Sequence, residues 1–168
     1  MDLKSSRGAL YLRTMIFGVT DSLVSTVGLL AGIHVAGASR SLVVITGVVY
    51  AIVEAFSMAV GDFLSEESAE EYAARGDVSD KKPISAAVLM FFTFVLVALI
   101  PVAPYLFLGD PHALAVSVLL SLAALFAAGA VGAWFAKVPM LWRGVRMMGL
   151  GGAAILIGLV VGSLFPAA

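Results

Sequence analysis

The chain has 168 residues, of which 61% are hydrophobic and 12% charged, and its mean hydropathy is +1.07. Soluble domains carry about 25% charged residues, and a water-soluble fold of this size has no core large enough to hide so much apolar surface, so the expected solvent is lipid. A net charge of -1 gives no field directed at nucleic acid, and the absence of cysteine excludes disulfides, thiolate metal ligands and a thiol nucleophile.

A membrane-spanning helix needs about 20 mostly apolar residues. Five segments meet that requirement: 14–36, 41–65, 84–108, 113–136 and 145–165. The first follows basic residues, as a signal peptide would, and Ala36-Gly37-Ala38 imitates a cleavage site. It is too long for a signal core and carries Asp21, so it reads as a retained helix. Gly37-Ala38-Ser39-Arg40 reads as a tight turn, and 66–82 as an acidic hydrophilic loop. Gly109-Asp110-Pro111-His112 reads as a second turn, with Pro111 suited to a helix start. Pro139 interrupts the stretch between the last two spans. Strand-like alternation is missing, which favours an all-α integral membrane domain over a barrel. Lys4, Arg7, Arg13, Arg75, Lys81, Lys82, Lys137, Arg143 and Arg146 fall on one side of the five spans, and Arg40 on the other. The basic-residue bias therefore predicts a cytosolic N-terminus and an outside C-terminus.

Polar residues inside spans carry the functional signal. A carboxylate at a helix centre costs about 2.5–3.5 kcal/mol on the insertion scale. The ten Ile, Leu, Val and Phe residues of the first span offset that for Asp21. Small or polar neighbours (Gly18, Ser22, Ser25, Gly28) suit close packing or a hydrated path. Asp21 thus reads as an ion or proton site, against a packing acid satisfied by hydrogen bonds. In the second span, Glu54, Met58, Asp62, Glu66 and Glu70 recur every four residues and share one helix face. Carboxylates with a thioether suit Fe²⁺ or Mn²⁺ better than Mg²⁺ or Ca²⁺. Met58 can equally be packing, and Asp62 a hydrated interface residue. Glu66, Glu67, Glu70 and Glu71 read either as a cation-collecting mouth or as a solvated helix extension partnered by Arg75, Lys81 and Lys82.

Other features are weaker. His34 and His112 lie near outside turns. Pro101 and Pro104 free backbone carbonyls in span three. Trp134 and Trp142 resemble interface anchors. Gly28 with Gly32, and Gly158 with Gly162, form small-xxx-small pairs, within or between protomers. Nucleophile-elbow, P-loop and Rossmann patterns are absent, so no enzyme activity and no tightly bound cofactor are expected.

The segment 17–26, followed by Gly28-Leu29-Leu30-Ala31-Gly32, resembles the first helix of the vacuolar iron transporter family. Ser57-Met58-Ala59-Val60-Gly61-Asp62-Phe63 is similar to that family's second-helix motif of Ser-Met, two residues, then Gly-Glu-Tyr. The proline-bearing segment 99–106, the stretch 124–130 and the Gly-rich segment 148–162 also fit, so the resemblance covers nearly the whole chain. It implies a five-helix protomer forming a homodimer, with a path lined by the first two helices. It also implies export of Fe²⁺ or Mn²⁺ from the cytosol in exchange for protons. Asp21 matches the family's pathway aspartate and Met58 its second-helix methionine. Two departures stand out. An acid expected two turns before the Ser-Met pair is Tyr50 here, with Glu54 one turn closer to Met58. The large cytosolic metal-binding insert of plant and fungal members is reduced to about 17 residues (66–82).

The leading expectation is therefore a homodimeric, proton-coupled divalent-metal transporter. Its partners are the bilayer, metal ions and protons, and its expected location is a prokaryotic plasma membrane, given the compact chain and missing targeting segment. The alternative is a non-transporting metal sensor or assembly scaffold. Organic or anionic cargo is disfavoured, because no intramembrane site is aromatic-lined or carries arginine.

Overall fold

The computed structural model describes residues 3–77, 79, 81–109 and 112–165, with side chains from residue 8 onward. It is all-helical over those residues: α1 (Leu3–Val35), α2 (Arg40–Ala74), α3 (Lys81–Phe107), α4 (His112–Ala136) and α5 (Met140–Leu164). All five are long and apolar enough to cross a membrane.

The turns follow from local chemistry. Gly37 adopts φ +95, and Ala38 N–H donates to Ile33 C=O at 3.1 Å, which closes α1 with a left-handed cap. Ser39 then caps α2, its side chain accepting from Leu42 N–H at 3.4 Å. Lys137 (φ 54) ends α4 in the same manner as Gly37 ends α1, with Val138 N–H on Ala133 C=O at 3.0 Å. Asp110 and Pro111, assigned to a turn from the sequence, lie outside the described residues.

Two boundaries correct the sequence reading. The segment 66–82 is not a loop throughout: α2 continues to Ala74 and stops at Arg75, which takes the left-handed conformation (φ 55) just before Gly76. Glu66 to Ala74 contains no glycine or proline and is rich in good helix formers, so nothing ends the helix at the membrane surface. Helix α5 begins at Met140 rather than near 145, because Pro139 (φ -57) is pre-set to start a helix. Arg143 and Arg146 consequently sit on the first two turns of α5.

Helix α1 is the axis of the bundle and touches all four others. These follow one another around it as α2, α3, α4 and α5, and the ring stays open because α2 and α5 do not meet. Near the α1–α2 turn, Leu30, Val43, Val102, Tyr105 and Ala113 form one core cluster. Polar ties reinforce the packing. Ser22 Oγ donates to Phe94 C=O at 2.8 Å, and Ser117 Oγ to Pro101 C=O at 2.7 Å. Arg40, alone on its side by sequence, donates to the carbonyls of Tyr105 and Leu106 at the C-terminus of α3, 2.5 Å each.

The glycine pairs make contact within one protomer. A methyl placed on Gly32 would lie 2.9 Å from the Gly158 carbonyl oxygen, and one on Gly28 would lie 3.2 Å from that of Ala154. Methyls on Gly158 and Gly162 would run into the Gly28 and Gly32 carbonyls at shorter range still. Backbone therefore meets backbone where α1 crosses α5.

Candidate metal path between helices one and two

Of the helix pairs in contact, α1 and α2 touch least; α2 leans mainly on α3. The space left between them is a groove of about 640 Å³ lined by Arg13, Thr14, Phe17, Ser57, Met58, Gly61, Asp62 and Ser65. The helices are antiparallel and joined by a short turn, so depth on α1 rises as residue number on α2 falls. Thr14 meets Asp62, its hydroxyl donating to Oδ2 at 3.2 Å. One turn further in, Phe17 and Met58 line the same groove. Beyond them Glu54 lies within electrostatic reach of Asp21, and Tyr50 lies near Ser25, whose hydroxyl donates to the Asp21 carbonyl at 2.6 Å. The two stripes, Phe17–Asp21–Ser25 and Asp62–Met58–Glu54–Tyr50, thus form one column of polar and soft groups. Asp21, Tyr50, Glu54 and Met58 are all partly buried along it.

At the mouth the acids already have basic partners. Arg13 Nη2 lies 3.4 Å from Glu66 Oε2 and 3.9 Å from Asp62 Oδ1. The Asp62 side chain is only 8% exposed, against 61% for Arg13, so Asp62 is the better shielded member of the pair. Lys82 pairs with Glu70, as the helix-extension reading expects. Arg75 and Lys81 make no such pair among the described residues, while Arg13, which sequence reasoning did not link to the acids, makes two. Glu67 and Glu71 do not line the groove. Among the described residues no three of the acids and histidines converge as a ready metal cage within one protomer. His34 stands away from this path, its ring 5.7 Å from that of Tyr105.

Sequence reasoning missed the contribution of α1 below Asp21. The spacing Arg13, Phe17, Asp21, Ser25 is itself an i, i+4 series and carried that signal. It also set Tyr50 aside as a departure, whereas the fold puts Tyr50 beside Ser25 in the column.

The sequence profile of the VIT family matches residues 12–78 and 71–163 of this chain. Vacuolar iron transporter homolog 5 of Oryza sativa subsp. japonica is 30% identical, over 99% of this chain and 86% of its own length. Vacuolar iron transporter homolog 1 of Arabidopsis thaliana is 28% identical, over 85% and 77% respectively. Homolog 3 of the same plant is 26% identical, over 90% and 82%. With so much of each relative covered, these plant proteins have little room for a large insert between helices two and three, so brevity in that segment does not set the present chain apart from them. Matched across nearly its whole length, and carrying the paired stripes of α1 and α2, the chain belongs to the VIT family.

Proposed function

We propose that the chain is a homodimeric transporter of Fe²⁺ or Mn²⁺ that exports the metal from the cytosol in exchange for protons, through the α1–α2 groove. The observation that carries this reading is the nearness of two intramembrane acids, Asp21 and Glu54, one turn beyond Phe17 and Met58 at the inner end of that groove. Two acids and a thioether are donors of the right hardness for these ions, and few enough to let the ion leave. Protonating the carboxylates removes the charge that holds the cation, so metal release and proton uptake are one event. Asp62, Glu66, Glu67, Glu70 and Glu71 would collect the ion at the mouth and hand it inward. The names of the plant relatives support iron as cargo.

The homodimer is what the family resemblance implies, and the donor count agrees with it. One protomer brings two carboxylates to the middle of the column, while a divalent ion of this kind takes about four to six ligands. A second copy seated on the open side between α2 and α5 would supply the remainder. The basic-residue bias supports a cytosolic mouth and an outside C-terminus.

Proteoliposomes loaded with a metal-quenched dye test the proposal. The parent protein should admit Fe²⁺ and Mn²⁺, faster under an opposing proton gradient, and Asp21→Asn should fall to the rate of empty liposomes. Undiminished flux through Asp21→Asn, with the same pH dependence, would overturn the mechanism. Metal-dependent thermal stabilisation without flux, lost on substituting Glu66, Glu67, Glu70 and Glu71, would make the protein a sensor instead.

A further inference from the structure

A second concavity lies where α1, α4 and α5 meet, away from the groove. It encloses about 340 Å³, with Ile16, Gly132, Met147 and Leu150 among its apolar lining and Arg143 and Arg146 at its edge. Small residues on α4 create the hollow: Gly129 and Ala133 are buried there and hold α5 close. The two arginines are exposed and stand three residues apart on the first turns of α5, hence on one side of that helix. No ion pair ties either of them among the described residues. Among the described residues the acids at this end lie on α2, which touches neither α4 nor α5, and at Asp77 just after it; Asp62 and Glu66 face Arg13, and Glu70 pairs with Lys82.

The start of α5 adds to the positive field. Its N-cap is Pro139, which provides no side-chain cap, so the N–H groups of the first turn keep no side-chain acceptor. Those groups and the positive end of the helix dipole favour an anion at the same place as the arginines. Exposed Trp134 and Trp142, flanking the α4–α5 turn, mark the level of the lipid headgroups. At that level the only abundant anion whose other end is apolar is a phospholipid.

We propose that this cleft is a binding site for an anionic phospholipid. Its phosphate would sit against Arg143, Arg146 and the α5 N-terminus, and its acyl chain would lie along Ile16, Gly132 and Met147. The cleft has the two chemistries such a ligand needs, in the order the membrane presents them: cationic at the rim and apolar in the depth. Basic pockets between spanning helices at this level capture anionic headgroups for the same reason. The site uses none of the residues assigned to the metal path.

The test is native mass spectrometry of the whole delipidated protein, titrated with dioleoyl phosphatidylglycerol or dioleoyl phosphatidylcholine. The anionic lipid should be retained preferentially. Retention should fall roughly tenfold or more in the Arg143→Gln/Arg146→Gln double variant, which removes two cations from the headgroup level. It should persist in the Arg143→Lys/Arg146→Lys variant, which keeps charge and fold, and in Lys81→Gln, a charge loss elsewhere at the same end. Equal retention of the two lipids would overturn the proposal, as would undiminished retention in the double glutamine variant. Full displacement of the lipid by millimolar inorganic phosphate would also overturn it, by showing a site for a free anion only.

Discussion

One face of α1 behaves differently in its two halves. Asp21, Ser25, Gly28 and Gly32 are spaced i, i+4, i+7 and i+11, so they form a single stripe along the helix. Over its first half the stripe lies toward α2, with Asp21 near Glu54 and Ser25 near Tyr50, and its members are partly buried and polar. Over its second half it is sealed by α5, glycine against glycine, with no room for an added methyl. The residue types decide which partner each half takes. A carboxylate and a hydroxyl hold a neighbouring helix at side-chain distance and keep a hydrated gap, whereas glycines allow a backbone to close completely. A path that follows this stripe is therefore open toward Arg13 and Glu66 and closed beyond Ser25.

The largest effect should come from breaking the sealed half. Gly162→Leu puts a branched side chain where the Gly32 carbonyl already stands, and neither backbone can move without separating α1 from α5. Overpacking of this kind costs about 1–3 kcal/mol, and more where backbone must yield. We expect a lower melting temperature in detergent and loss of the monodisperse species. Ser57→Ala, on the exposed groove wall of α2, should leave both unchanged. A well-behaved Gly162→Leu protein would mean that the two halves are equally loose.

Much of this division was legible in the sequence. Five apolar runs and their turn residues placed the helices, because in lipid the backbone has no other way to satisfy itself. Asp21 and the four-residue stripe of α2 were visible because a charge inside a span is rare enough to be a signal. The partner of each small-xxx-small pair was not visible: Gly28 and Gly158 each specify a close approach, and only the folded chain says to what. Arg13 stayed hidden for a related reason. It counted as one more basic residue before a span, and nothing local indicates that α2 brings Asp62 to its side. The acidic segment after Ser65 looked like a loop because it is hydrophilic, yet hydrophilicity does not end a helix; that takes a residue such as Arg75 in a left-handed conformation followed by Gly76.

An intermediate effect is expected in the open half, where chemistry should change and the fold should not. Glu54→Gln keeps the volume and removes one of the two neighbouring intramembrane charges. Losing a supporting group around a metal commonly costs about 10–100-fold in affinity, and a direct ligand should cost at least as much. Flux at low metal should fall by roughly tenfold or more, with an unchanged melting temperature. The parent's flux should grow with the opposing proton gradient, and Glu54→Gln should weaken that dependence, since one of the carboxylates that can exchange metal for a proton is gone. Tyr50→Phe, which removes only a hydroxyl at Ser25, should do far less. Adding Tyr50→Glu to Glu54→Gln moves the acid one turn along the same stripe. Restored flux would show that the column needs a carboxylate somewhere opposite α1 rather than at position 54. Continued loss would tie the function to the pairing with Asp21.

The smallest effect belongs to Arg13, at the entrance. It lies beside Glu66 and Asp62 but is itself largely exposed, so the pairs are well screened and Arg13→Gln should alter stability by less than about 1 kcal/mol. Its influence on transport has a definite sign. Arg13 occupies the acids that a divalent cation would otherwise meet first, so an arriving ion must compete with it. Removing the guanidinium should lower the apparent KM for metal by about two- to threefold at low ionic strength, where surface charge acts over roughly 30 Å. The gain should shrink toward nothing near 1 M salt, where that range is about 3 Å. kcat should not change, because the Asp21–Glu54 pair lies deeper. A rise in KM would reverse the assignment: Arg13 would then be holding Asp62 and Glu66 in the positions that receive the ion, and the open half of the stripe would depend on its salt bridges as the closed half depends on its glycines.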